Sequence, residues 1–511
     1  LPQAFPSENR KKGHEALDPV EDLRGYIDWL RKRNEIVEVG EPLSPELEIP
    51  SLLRKVMYSG GPALLLTNIK DFDGWRVAGN LFTSLRILRE ALSVNKLEEI
   101  GERLIPSAFF QPPSSTIQKV KAAGELMRLS KYLPSFVSKG SFEENVIEAA
   151  KNPLDKIPFF RTWPKDGGRY ATFPMVITRD PESGIVNMGV YRVMILDGKR
   201  GVVHWQVHKR GALAQSHALE RGMEEIPVAI SLGSDPGTML AAVSPIPYPI
   251  DKTLFAGVIR GRGVELVELP NGAPAISNAE VVIEGRVRLK ELVNEGPFGD
   301  HWGYYDKPTE KYPLLLVDRV YLRDEPIYYG SVTGAPPLED AVMGKAVERI
   351  FKPIINTLLP EVVEINYPPE GVFQGLLIVS IKKRFPGHAK KVMSALWGLG
   401  QSSLTKIIIV VDHDVDPNDI GKVIWAVSSN VNPQRDLVVI EGSHSDALDP
   451  ANIAHSYGGK LGIDATRKLP EENLGKEWPE LVEEDPTTAQ KVAQLLQKLM
   501  EGRGSIDRFK E

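Results

Sequence analysis

Glu295 and Asp300 stand five residues apart around the run Gly-Pro-Phe-Gly. Glycine permits tight backbone turns that other residues resist, so such a loop can aim both carboxylates into one cavity. Two carboxylates held close do not readily ionise together, and one is pushed towards a protonated, acid-competent form. The commoner use of the same spacing is a solvated acidic turn. Upstream, residues 187–192 (NMGVYR) open with an amide, Asn187, and close with a guanidinium, Arg192. On a regular strand this offset puts the two on opposite faces, so they converge only if Asn187 lies in a turn or a bulge intervenes. In residues 204–210 (HWQVHKR), His204, Gln206 and His208 share one strand face. Two histidines so placed can serve a metal, although such pairs are more often structural.

Other sites are excluded by their chemistry. Residues 412–416 (DHDVD) superficially resemble a calcium loop, but Pro417 stands where the turn needs glycine and Val423 where a bidentate glutamate is required. No phosphate-binding P-loop occurs, and residues 257–263 (GVIRGRG) lack the dinucleotide-binding spacing. The chain has no cysteine, which removes disulfides, thiolate catalysis and zinc–thiolate centres.

The elements that must position these groups fall into three regions. In the first, Leu23, Ile27 and Leu30 form a helical stripe. A second helix is expected from about 45 or 46 to 57, ended by the turn at 59–62, and residues 63–66 read as a buried strand. Residues 115–150 look helical and linking. Between 170 and 321 the pattern shifts to short strands with few helical stretches: 185–196, 201–207, 228–232, 263–269 and 279–289, with hairpin turns at Asp197-Gly198 and Asn271-Gly272. A helix is expected from Glu339, stopped by Pro353, followed by a strand at 406–411 and a helix at 418–428. Asp485 caps a last helix whose stripe is Val492, Leu495, Leu496 and Leu499. That stripe needs a cover, from its own domain or from a sister subunit.

At 511 residues the chain exceeds what one core usually organises. Its 42% hydrophobic and 25% charged residues are ordinary for a globular protein, and a net charge of −6 offers no basic footprint for nucleic acid. The 40 prolines and missing cysteines lean towards a hot-living source. Residues 1–12 are polar, without the apolar stretch of a signal peptide, and no apolar run is long enough to span a bilayer; a cytoplasmic location is the expectation.

Taken in order along the chain, these segments resemble the UbiD family of prenylated-flavin decarboxylases. The matching runs are 187–192, 204–211 (HWQVHKRG), 255–261 (FAGVIRG), 295–305 (EGPFGDHWGYY), 334–340 (GAPPLED), 423–426 (VIWA) and 459–466 (GKLGIDAT). The resemblance implies an α/β multidomain fold. An N-terminal α/β domain (1–115) precedes a central split β-barrel that binds the flavin (116–325) and a C-terminal α/β oligomerisation domain with a terminal helix (326–511). It also implies prenylated FMN, its phosphate held through a divalent cation, usually manganese, with potassium nearby. Asn187 and His208 match two of the cation ligands, and Asn187, Arg192 and His208 match cofactor-binding positions. Arg192, Glu295 and Asp300 match the catalytic carboxylate–arginine–carboxylate set. One departure stands out: Lys252 occupies the position where the family supplies a glutamate ligand. A protonated amine has no lone pair for a metal. Asp251 taking over, weaker cation binding, direct pairing of Lys252 with phosphate, and a solvent-facing Lys252 are all open.

The function implied is non-oxidative decarboxylation of an α,β-unsaturated or aromatic acid through a covalent flavin adduct, the cofactor acting as electron sink. Arg192 holds Glu295 ionised through paired hydrogen bonds and Asp300 donates the proton, a role whose loss costs about 10²–10⁴-fold in rate. Two substrate classes compete, a prenylated hydroxybenzoate and a small phosphorylated acid of the anhydromevalonate type, the first pointing to quinone and the second to isoprenoid biosynthesis. The rivals are a carboxylase running in reverse and a catalytically silent flavin-binding subunit. Expected partners are the carboxylic acid, a flavin prenyltransferase that supplies the cofactor, and further copies of the chain as a dimer or hexamer.

Overall fold

A computed structural model describes residues 20–104, 127, 129–206, 210–306, 311–482 and 484–500. It comprises two compact units: the described residues up to Lys383 with Ala389–Thr466, and Arg384–His388 with the described residues from Arg467 onward.

In the first unit, the helix Leu23–Arg31 buries Leu23, Tyr26, Ile27 and Leu30, and Asp22 caps it by accepting from Gly25 N at 2.7 Å. The second helix runs Glu48–Tyr58, close to the span expected for it. The strand Ala63–Leu66 is buried along its whole length and pairs with Ile36–Val39 and Arg76–Gly79. A fourth strand, Ile327–Tyr329, joins the edge at Arg76–Gly79, so this sheet is completed by residues some 250 positions away. The carboxylate of Glu280, fully buried, ties the pieces together: it accepts from Arg24 at 2.8 and 2.9 Å, from Arg323 at 3.2 Å and from Ile327 N at 3.1 Å.

The central sheet is antiparallel throughout. Its order is Arg169–Ala171, Val193–Asp197, Arg200–Val203, Lys311–Leu322, Val281–Asn294, Glu225–Leu232, Met175–Arg179 and Val186–Val190, and Asn145–Glu148 pairs with the far end of Lys311–Leu322. The strand at one edge, Val186–Val190, is followed after only Tyr191 and Arg192 by Val193–Asp197, the second strand from the opposite edge. Three Cα–Cα steps reach roughly 11 Å at most. The sheet must therefore curl until its edges nearly meet, which makes it a split barrel with Arg192 at the seam.

The few helical stretches expected in the strand-rich region are three helices, Arg210–Glu220, Pro236–Val243 and Lys252–Arg260, the last two capped by Asp235 and Asp251. Local patterns misled in three places, each where tertiary contacts override local preference. Residues 135–150 hold the strands Ser135–Phe136 and Asn145–Glu148 because partner strands offer them edges. The strand expected to reach Val207 stops at Val203, so His204 and Gln206 lie beyond it and their shared strand face does not exist. Pro353 does not end the helix Glu339–Leu358 but sits inside it.

The third region forms a mixed sheet in the order Val362–Asn366, Leu376–Ile381, Ile407–Asp412, Tyr457–Asp464 and Leu437–His444. Val392, Met393 and Leu396 cover one face, while Val423 and Ala426 from the helix Ile420–Asn430 cover the other. Among the described residues, no helix is long and apolar enough to cross a membrane.

Candidate active site

Arg192 is buried at the barrel seam, where the backbone leaves one strand and has not begun the next. Asn187 lies within Val186–Val190 and Arg192 just beyond it, so no single regular strand holds both. Strand Val281–Asn294 delivers Glu295 directly, and Gly296, at φ 94°, then takes a backbone conformation that L side chains rarely adopt. The bend is held on its far side: Gly167 N donates to Pro297 O at 2.7 Å, and Gly299 N donates to Asp166 Oδ1 at 2.9 Å. Phe298–Gly299 pairs with Tyr305–Asp306, which brings Asp306 back beside the start of the loop.

The guanidinium meets three carboxylates. Nε and Nη2 donate to the two oxygens of Glu295 at 2.9 and 2.7 Å, Nη1 donates to Asp300 Oδ2 at 3.2 Å, and Nη2 also donates to Asp306 Oδ2 at 2.6 Å. The face of Phe298 lies 4.5 Å from the guanidinium carbon. Arg192, Glu295 and Asp300 are thus brought together. Asp306 is a fourth member that sequence reasoning missed, because nothing local marks it.

Protonation differs from the expectation that one carboxylate would stay neutral. Burial would raise Glu295, but Arg192 and its hydrogen bonds hold it well below the usual carboxylate range. Burial would likewise raise Asp300, but His301 and Arg192 lower it. Two cations, one of them the neighbour in sequence, remove the mutual repulsion on which the expectation rested. His204 behaves differently: burial and Arg192 lower its pKa, so it is a neutral imidazole whose Nδ1–H donates to Glu295 Oε2 at 3.0 Å. Its Nε2 is buried with no hydrogen-bond partner among the described residues.

Behind Asp300 lies a second polar layer. His301 Nδ1 pairs with Asp300 Oδ1, its Nε2 lies 3.5 Å from Asp446 Oδ2, and its ring stacks on Phe373 at 5.1 Å. Asp446 also accepts from Trp302 Nε1 at 3.2 Å and from the Gln374 amide. His301 lay in plain view within the 295–305 run; Asp446 and Gln374 carried no signal at all.

Could these residues hold a cofactor or a metal? His204, Glu295 and Asp306 offer atoms within 4.8 Å of one another, but Arg192 already donates to both carboxylates there. Around Asn187 the arrangement is different. Its Oδ1 is buried without a partner among the described residues, while Nδ2 donates to Tyr191 Oη at 3.4 Å. His208 falls outside the described residues. Lys252 is buried, 7% exposed, which removes the solvent-facing reading, and its Nζ donates to Ala242 O at 2.9 Å. Both oxygens of Asp251 are engaged: Oδ1 accepts from Thr253 N at 2.7 Å and Oδ2 from Val186 N at 3.3 Å. The Lys252 ammonium suits an anion, having no lone pair for a metal. Lys252 and Arg210 line a cavity of about 390 Å³ with Tyr191, Ser244 and His444, within the size range of cofactor sites. A phosphate-bearing flavin fits that charge.

Comparison with known proteins agrees with this architecture. Three descriptions match in succession: 3-octaprenyl-4-hydroxybenzoate carboxy-lyase N-terminal domain over 27–104, the Rift-related domain over 135–336, and the C-terminal domain over 341–465. The chain belongs to the UbiD family. An uncharacterized protein of Aeropyrum pernix is 54% identical over 95% of this chain and 99% of its own length. One of Archaeoglobus fulgidus is 45% identical over 92% and 97%. Among solved structures, the vanillic acid decarboxylase of Sedimentibacter hydroxybenzoicus in closed form has a TM-score of 0.81 at 26% identity, covering 95% of this chain and all of that one. The UbiD-class enzyme HmfF of Pelotomaculum thermopropionicum, solved with FMN, has the same fold: TM-score 0.75 at 24% identity, covering 93% and 99%.

Proposed function

We propose that this chain is a prenylated-FMN-dependent carboxy-lyase that releases CO2 from an α,β-unsaturated or aromatic carboxylic acid. The observation that carries the reading is the buried Arg192, clasped by both oxygens of Glu295 and in contact with Asp300 at the seam of the barrel. Loss of CO2 leaves an electron pair on carbon; the cofactor, when bound, supplies the sink for it. The chain's own residues do the rest. Arg192 fixes the Glu295 carboxylate in one orientation, and the neutral His204 holds its second oxygen. Asp300, at the other end of the loop from Glu295, is the group that passes a proton to the carbon vacated by CO2. Lys252 and Arg210 bind the cofactor phosphate, the role Lys252 takes in place of a metal-ligating glutamate.

Within that class, a small phosphorylated unsaturated acid and a prenylated hydroxybenzoate are the two substrates to be tested. Vanillic and 3,4-dihydroxybenzoic acid decarboxylases share the fold, which supports an acid of modest size. The chain is co-expressed with a flavin prenyltransferase and its absorption spectrum recorded, then unsaturated and aromatic acids, with and without phosphate, are screened for CO2 release. A modified-flavin band with CO2 release supports the enzyme. A well-folded protein that takes up the flavin yet releases no CO2 from any acid sinks it.

A further inference from the structure

We infer that His301, held by Asp446, is the proton store for Asp300, so that the proton delivered to substrate carbon comes from the imidazole and passes through the carboxyl group. This inference rests on the carboxy-lyase reading of the same site.

The geometry is that of a relay. Asp300 turns Oδ2 to Arg192 and Oδ1 to His301 Nδ1, so its two oxygens face a fixed cation on one side and a titratable one on the other. Arg192 cannot give up a proton at any working pH. Only the imidazole can. Across the ring, Asp446 Oδ2 lies 3.5 Å from Nε2, and Gln374 Nε2 lies 3.4 Å away. Asp446 is itself anchored by the Trp302 indole at 3.2 Å and by Leu448 N, which donates to Oδ1 at 3.1 Å. Asp340, at the start of the helix Glu339–Leu358, also lies within the electrostatic reach of His301.

The wall of the relay is strained. Phe373, stacked on His301, and Val372 before it have φ values of 31° and 53°, a region unfavourable for a β-branched or aromatic residue. Such strain persists only where surrounding contacts enforce it, and here it presses a ring against the imidazole.

Charge follows from this arrangement. Burial alone would lower His301, but Asp300 and Asp446 push it up to about 10, so the resting state is imidazolium beside carboxylate. In the protonation step, Nδ1–H moves to the Asp300 carboxylate, and the carboxyl group so formed gives that proton to carbon and is a carboxylate again. The imidazole is left neutral and its Nε2–H still faces Asp446. The ring is 14% exposed, enough for water to return the proton. Atoms and charge balance with no further reactant.

His301 acts through Asp300 and is a positioning residue, so its test needs more than lost activity. In the cofactor-loaded enzyme, His301→Asn is expected to lower kcat about 10²-fold or more with KM little changed, the size of a general-acid contribution. Asp446→Asn removes one of the two anions, and the alkaline limb of the kcat–pH profile should then move down by about one pH unit or more. Independently of turnover, histidine-labelled protein is titrated by NMR, the His301 signal being assigned from the His301→Asn spectrum. His301 should stay protonated past pH 8 and titrate lower in Asp446→Asn. A His301 that loses its proton below pH 7, or a limb that Asp446→Asn leaves in place, overturns the proposal. If no acid is decarboxylated but His301 titrates high, the carboxy-lyase reading fails and the proton-holding pair stands.

Discussion

At the scale of single residues, the site is governed by which cation stands beside which acid. Lys252 is the clearest case: an ammonium stands where a divalent ion would need an acid, and its neighbour Asp251 is already used to cap a helix. FMN should therefore bind the wild-type chain equally well in EDTA and in manganese, as followed by quenching of flavin fluorescence. Lys252→Glu should bind it only with manganese present. Equal dependence in both proteins would contradict the lysine–phosphate contact. Asp340 gives a pH signature. Burial holds its carboxyl up at about 7 against an ordinary 3.8. The folded protein keeps a proton that the unfolded chain loses, so this contribution to stability is complete below about pH 4 and is lost as pH climbs through 7. Asp340→Asn should melt above the wild type at pH 8, with the gap closing towards pH 4. A gap that does not change with pH would place the effect elsewhere.

At the scale of elements, close approach decides what the sequence tolerates. The short helix Glu98–Arg103 meets the long helix Glu339–Leu358 at Gly101, where an added Cβ would lie 1.9 Å from the Ile350 carbonyl oxygen. Backbone atoms cannot step aside as a flexible side chain can, so Gly101→Ala should cost about 1–3 kcal/mol. Urea denaturation would show it as a lower midpoint at unchanged slope. The same helix contains Pro353, which lacks the N–H its turn would use. The expectation that it ends the helix failed because Met343, Ala346 and Ile350 remain anchored in the core before it.

At the scale of the whole molecule, the described residues leave an apolar stripe open. In the second unit, the helix Pro486–Met500 is capped by Asp485, which accepts from Thr488 N at 2.7 Å, yet Leu495, Leu496 and Leu499 are each more than half exposed. An apolar stripe of that kind calls for a cover. The homo-oligomer expected from the family resemblance would supply that cover from a second copy of the chain. Replacing Leu495 and Leu499 together by Glu should reduce the mass measured by light scattering in solution without loss of helix content. An unchanged mass would exclude this helix from the interface.

Local patterns determined a good deal unaided. The stripe of Leu23, Ile27 and Leu30, the buried strand Ala63–Leu66 and the Asp485 cap are written in neighbouring residues, because helix and strand periods act over a few positions. The 295–300 loop was legible for the same reason. Its charge state was not. Arg192 and Asp300 are 108 residues apart, and they meet only because the sheet curls until its edges close. Asp446, which steadies the histidine behind that acid, arrives from a different sheet altogether. Ionisation depends on charges a few ångströms away in space, and that distance is set by packing, which no local spacing encodes.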